Sequence, residues 1–160
     1  MLTAVWHVGF TVANLDRSID FYCNILGFEL VRVQEKASPY TGQLVGFPGA
    51  HLRSAALRLP GQAAGPSKHV LELIEYVTPQ GATLDCRPWN VGSGHLALCT
   101  DDIHERYAFL LSMGVNFRSA PTSISEGANA GGFACYLQDP DGITLELVQP
   151  PPYREESGAV

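Results

Sequence analysis

Four side chains have the types that a divalent cation binds, and they come as two matched pairs: His7 with Glu72, and His95 with Glu146. The histidines open "HVGFT" and "HLALC", and the glutamates sit inside "VLELIEY" and "TLELVQP". Two imidazoles and two carboxylates make a nitrogen and oxygen ligand set for a first-row divalent ion such as Zn, Ni, Co, Mn or Fe, with water filling the remaining positions. Taken singly, each has an ordinary explanation: a histidine hydrogen-bonded at a strand start, a glutamate on a solvated strand face. Their recurrence at corresponding positions of two similar halves favours a shared site. Two glutamates at half-buried strand positions are costly unless paired, hydrogen-bonded or metal-bound.

The elements that must position these residues repeat as well. "WHVGFTV" alternates like a strand. "ANLDRSIDFYCNILG" reads as a helix, with Asn14 as N-cap, Ile19, Tyr22, Cys23 and Leu26 at helical spacing, and Gly27 just past its end. "FELVRVQ" is a strand and "SPYTGQLVGFPGA" is loop and turn. "LRSAALRLP" is a strand, "GQAAGPSK" a flexible turn and "HVLELIEYV" a strand. The order then recurs: strand "GHLALCT", helix "DDIHERYAFLLSMG", and strands "VNFRSAP", "GGFACYLQ" and "GITLELVQ". His7 falls on His95, Leu15 on Ile103, Phe21 on Phe109 and Glu72 on Glu146. The organisation expected is a first β-α-β-β-β module over residues 1–78, a linker over 79–92, a second module over 93–150 and a flexible tail over 151–160.

Strand alternation predicts which residues share a face. His7, Gly9 and Thr11 stand together, as do His95, Ala97 and Cys99. Glu72 and Glu146 oppose the pairs Leu71/Leu73 and Leu145/Leu147. The ordinary alternative for Glu72 and Glu146, a solvated strand face, draws on the nearness of Glu75 and Gln149. "DPDG", Asp139 to Gly142, is turn chemistry that fixes the register of the last strand and so the face on which Glu146 stands. Tyr40, Phe47, Trp89 and Phe133 are candidates to line a pocket for an apolar or aromatic substrate, and Tyr136 is a candidate to hydrogen-bond a substrate oxygen. His51, His69 and His104 fall outside the repeat and read as structural.

Composition removes several classes of partner. The 160 residues carry a net charge of −6 and no basic run, which excludes an electrostatic nucleic-acid footprint. No apolar stretch approaches the ~20 residues of a membrane span, and "MLTAVWHVGF" lacks the basic start and cleavage site of a signal peptide. Four cysteines without a CxxC predict reduced thiols and a cytoplasmic protein.

The stretches "HVGFTVANLDRSIDFYCNILGFEL", "VLELIEY", "GHLALCTDDI" and "YLQDPDGITLELVQ" cover most of residues 5–149 and resemble the vicinal oxygen chelate superfamily, the glyoxalase/bleomycin resistance/ring-cleavage dioxygenase group. The resemblance implies an α+β fold: two βαβββ modules whose paired, curved, mixed sheets surround a central metal. It implies His7, Glu72, His95 and Glu146 as ligands, a divalent metal cofactor, a small-molecule substrate with adjacent oxygens, and a homodimer. It further implies lyase or isomerase chemistry through a metal-stabilised enolate, with Glu146 or Glu72 moving the proton.

"RSIDFYCNILGFEL" is similar to bacterial glyoxalase I, but two positions that help that enzyme hold glutathione are occupied by Thr11 and Tyr76. Both are carried as substrate-binding candidates beside Trp89, Cys99, Phe133 and Tyr136. The alternatives within the same resemblance are an extradiol dioxygenase and a metal-free drug- or metabolite-binding protein. Tyr136, Asp139, Pro140, Gly142 and Glu146 match the dioxygenase motif, but "SISEGANAGGFACY" lacks the acid–base histidine that such enzymes place before the tyrosine.

Overall fold

Among the described residues, alternating apolar and polar residues build nine strands, and three short helices carry connections between them. The computed structural model describes residues 1–62 and 69–152. Most of the turn expected over "GQAAGPSK", and all but the first two residues of the expected tail, lie outside the described residues. The chain divides into two compact units, Met1–Leu84 and Asp85–Val160.

In the first unit, β1 (His7–Thr11) leads into α1 (Leu15–Asp20), which continues as a π-helical turn over Phe21–Ile25. The sequence signals act as expected. The Asn14 side chain accepts from Arg17 N at 2.8 Å, and Gly27 takes φ +87° where the helix ends. Then come β2 (Glu29–Lys36), α2 (Pro39–Val45), β3 (His51–Arg58) and β4 (Val70–Thr78), giving a mixed four-stranded sheet of order β1-β4-β3-β2.

Helix α2 replaces the loop expected over "SPYTGQLVGFPGA". Its end signals were present: Ser38 precedes it, Pro39 starts it, and Gly46 ends it at φ +77°. Seven residues, about two helical turns, with Gly42 inside leave too short an apolar period to read. Glycine fits there because a Cβ would lie 2.9 Å from the Phe47 carbonyl oxygen.

The second unit runs β5 (His95–Cys99), α3 (Ile103–Ser112), β6 (Asn116–Phe117), β7 (Thr122–Ser123), β8 (Phe133–Gln138) and β9 (Thr144–Gln149). Its five strands follow the order β5-β9-β8-β6, with β7 also on β8. Of the strand expected over "VNFRSAP" only Asn116–Phe117 forms, and the next short strand, Thr122–Ser123, lies beyond it. Pro121 has no N–H to donate, and pairing resumes only at Thr122. The "DPDG" turn is as expected: Asp139 Oδ1 accepts from Asp141 N and Ile143 N at 2.9 and 2.8 Å, Gly142 takes φ +81°, and Gln138 pairs with Thr144.

Each sheet packs one face on its helix. Leu71, Leu73, Ala55 and Leu57 are buried in the first unit, and Cys135, Leu137, Leu145 and Leu147 in the second. The alternation that buries them sends Glu72 and Glu146 to the opposite face.

Glu75 and Gln149 belong to the helix side, not to a solvated face. Three residues from a ligand-type glutamate means opposite parity. Glu75 Oε2 accepts from Leu15 N at 3.0 Å and from Arg53 Nη1 at 3.0 Å, and Arg53 also holds Asp16. Gln149 Oε1 accepts from Ile103 N at 3.0 Å. The same contact therefore pins the first helical N–H in both units, where a helix end lacks internal acceptors. Gln149→Ala is expected to lower unfolding stability by about 1 kcal/mol, and Glu75→Ala by about 2 kcal/mol because Arg53 also loses a partner. Urea titration reads both, and Glu75→Gln, which keeps the acceptor for Leu15, should recover part of the loss. Among the described residues no helix is long and apolar enough to cross a membrane.

Candidate metal centre

Parallel pairing of β1 with β4 sets His7 opposite Val70 and Gly9 opposite Glu72, so His7 and Glu72 are diagonal neighbours on one face. Parallel pairing of β5 with β9 sets His95 opposite Thr144 and Ala97 opposite Glu146, which is the same diagonal. In both units the side chains meet: His7 Nε2 lies 3.2 Å from Glu72 Oε2, and His95 Nε2 lies 3.2 Å from Glu146 Oε2. The glutamates are mostly shielded, with side chains 18% and 19% exposed, while the histidines are 40% and 47% exposed.

This geometry suits a shared ion. Two ligand atoms each ~2.1 Å from one ion, at angles between octahedral and tetrahedral, stand about 3.0–3.4 Å apart. Each unit by itself offers two such atoms. Among the described residues no group of three or more His, Cys, Asp or Glu side chains is gathered to hold an ion.

The neighbours of the two pairs differ. Across β3 and β4, Glu72 faces Ala56; across β8 and β9, Glu146 faces Tyr136. The Tyr136 ring lies 5.6 Å from the His95 ring, centroid to centroid. Burial first, and then the Glu146 charge, raise the Tyr136 phenol above its ordinary range, so it remains a hydrogen-bond donor at neutral pH.

The other expected substrate contacts separate. Thr11 and Cys99 end β1 and β5 on the His–Glu faces and are exposed, and Tyr76 shares the Glu72 face. Phe133 does not line that face. Its parity matches Cys135 and Leu137, and it packs edge-on against His104 of α3 at 5.1 Å. Trp89 is exposed in the segment before β5, with the Arg87 guanidinium 5.0 Å above its ring. His51 pairs with Glu35 at 2.7 Å, consistent with a structural role. Arg32 and Arg118 also stand on these faces, Arg32 in register with Ala56 and Arg118 beside Tyr136.

The four cysteines are free of disulfides. Burial, and then the Glu146 carboxylate, push the Cys135 thiol up to about 11. An unfolded thiol ionises near pH ~8.5. The folded state therefore keeps its full advantage below that pH and loses it as pH rises towards the folded value. Urea midpoints measured from pH 7.5 to 10.5 should fall with rising pH, and Cys135→Ala should flatten part of that fall.

Known proteins share this architecture. A 2-epi-5-epi-valiolone epimerase from an Actinomyces species is 34% identical over 152 residues, covering 92% of this chain and 80% of that protein. Lactoylglutathione lyase GLX1 of Arabidopsis thaliana is 26% identical over 93% of this chain, which spans only 45% of that longer protein. The crystal structure of a glyoxalase family protein from Bacillus cereus superposes with TM-score 0.74 over 94% of this chain and 96% of its own, at 20% identity, a likeness of fold. These relatives support an enzyme of lyase or isomerase type. The sequence profile of the Glyoxalase/Bleomycin resistance protein/Dioxygenase superfamily matches residues 4–147, and to that superfamily the chain belongs.

Proposed function

We propose that the protein is a metal-dependent isomerase or lyase that moves a proton at the carbon beside a carbonyl, in a small molecule carrying two adjacent oxygens. The observation that carries this reading is the repeated His–Glu diagonal, with the same 3.2 Å separation in both units. His7, Glu72, His95 and Glu146 together would hold one divalent ion, assembled within one chain or across two copies of it. When bound, that ion supplies Lewis acidity that favours the enolate-like anion left by proton removal. The residues do the rest. The histidines present neutral nitrogens, the glutamates accept and return the proton, and Tyr136 donates to a substrate oxygen.

The epimerase relative supports a cyclic hydroxyketone as the substrate class, because its named substrate is processed by inversion at carbon. Thr11 and Tyr76, at positions where glyoxalase I holds glutathione, weigh against lactoylglutathione. The free thiols fit a reducing, cytoplasmic setting, and a homodimer belongs to the same proposal.

The test is metal analysis of protein purified without chelators, followed by NMR in D₂O. Cyclic α-hydroxyketones and the glutathione hemithioacetal of methylglyoxal would be screened for deuterium uptake beside the carbonyl. Stoichiometric metal and uptake into a hydroxyketone are expected. Absence of metal, combined with tight binding of an aromatic ligand, would overturn the enzyme reading in favour of a binding protein.

A further inference from the structure

One glycine on the first unit's His–Glu face is not required by the fold. Gly9 stands between His7 and Thr11 on β1, in register with Glu72 of β4. A glycine inside a strand weakens it relative to alanine, and it is kept where the backbone needs its freedom or where something must come close. The backbone at Gly9 does not need it, since φ lies outside the left-handed region. Packing does not need it either. A Cβ there would lie 3.9 Å from the Glu72 carbonyl oxygen and 4.0 Å from both His7 Cδ2 and Ile74 Cδ1, all ordinary van der Waals distances. Gly42 and Gly132 are the contrast, because a Cβ would stand 2.9 and 2.5 Å from the backbone oxygens of Phe47 and Gln149.

The second unit supplies the comparison. Ala97 takes the corresponding place, in register with Glu146, and the His–Glu separation there is the same 3.2 Å. A methyl at this place is therefore compatible with the strand pairing and with the ligand diagonal. Its omission leaves a hollow in the first unit. Gly9 is the exposed floor, and the His7 ring and the half-buried Ile74 side chain border it. Thr11, also exposed, closes the far end on the same face, roughly 13 Å along β1 from His7.

We propose that this hollow receives the ring of the substrate, so that Gly9 sets which carbon skeletons the first unit's face admits. The assignment rests on the metal-site reading above. The substrate class is a small-ring hydroxyketone laid against β1, its apolar edge on Ile74 and its adjacent oxygens towards His7 and Glu72. A methyl added at position 9 takes the space in which the ring packs, and crowding of a close-packed contact is costly.

Two chelators test it on the cobalt-loaded protein, with binding read by calorimetry and by the cobalt absorption spectrum. Acetohydroxamate carries two adjacent oxygens on an open chain; 1-hydroxy-2-piperidone closes the same head group into a six-membered ring. Gly9→Ala is expected to lower the affinity of the ring relative to the open chain by about fivefold or more. The same variant should keep its cobalt, as Ala97 coexists with the same diagonal, and its melting temperature should hold or rise. Ala97→Gly should lower the melting temperature and leave the affinity ratio near the wild-type value.

An unchanged ratio in Gly9→Ala overturns the proposal. So does a fall in its melting temperature or cobalt content, which would make the glycine structural. A ratio that rises in Ala97→Gly as steeply as it falls in Gly9→Ala overturns the assignment to the first unit's face. Failure of acetohydroxamate itself to bind or to shift the spectrum overturns the metal-site reading, and this inference with it.

Discussion

Replacing Glu146 by Gln in the metal-loaded protein is expected to abolish net turnover, by about a thousandfold, while most of the metal is retained. Glutamine keeps an oxygen at the ligand position but cannot accept a proton, and positioned general-base catalysis contributes on this order. Glu72→Gln should do the same if inversion uses one carboxylate on each side of the reacting carbon. The two variants then separate by isotope. The variant that keeps the abstracting carboxylate still takes deuterium into recovered substrate without inversion, and the other takes none. Their surroundings are already unequal, since Glu146 faces Tyr136 and Glu72 faces Ala56. Proton NMR in D₂O, with metal content measured on the same samples, reads both quantities. Full turnover in both variants would show that neither carboxylate moves the proton, and the mechanism proposed above would fail.

Much of this was legible in the sequence because the strand period is two and the site repeats. Parity alone sends Glu72 away from Leu71 and Leu73, and Glu146 away from Leu145 and Leu147. The cap at Asn14, the positive φ at Gly27 and the "DPDG" hairpin are local chemistry that tertiary packing did not override. What parity could not give was pairing. That His7 and Glu72 lie on a diagonal follows from β1 running parallel to β4, a contact between strands far apart in the chain. Glu75 and Gln149 lent weight to a solvated-face alternative for Glu72 and Glu146, although their spacing of three from those glutamates already indicated the helix side. A carboxylate beside apolar strand residues looks solvated until its acceptor role at Leu15 is seen. Phe133 was misplaced for the converse reason: an aromatic residue beside a candidate site invites a pocket role, and its parity with Cys135 and Leu137 places it against α3.

His7→Ala and His95→Ala are each expected to weaken metal binding by at least about a hundredfold. Each removes one of the two neutral nitrogens of the proposed set, and loss even of groups that merely orient ligands typically lowers affinity ten- to a hundredfold. Equal losses are what the repeated 3.2 Å diagonal predicts. A loss confined to one variant would mean that a single unit binds the ion. Mixing the two variants carries the argument further. If the four ligands come from one chain, neither variant has an intact set and the mixture stays metal-poor. If each set joins the first unit of one copy to the second unit of another, a mixed dimer contains one doubly altered set and one intact set. Metal binding then returns to the mixed dimers alone, and native mass spectrometry of the mixture counts them. Full metal retention in both single variants would remove the His–Glu pairs from the metal site altogether.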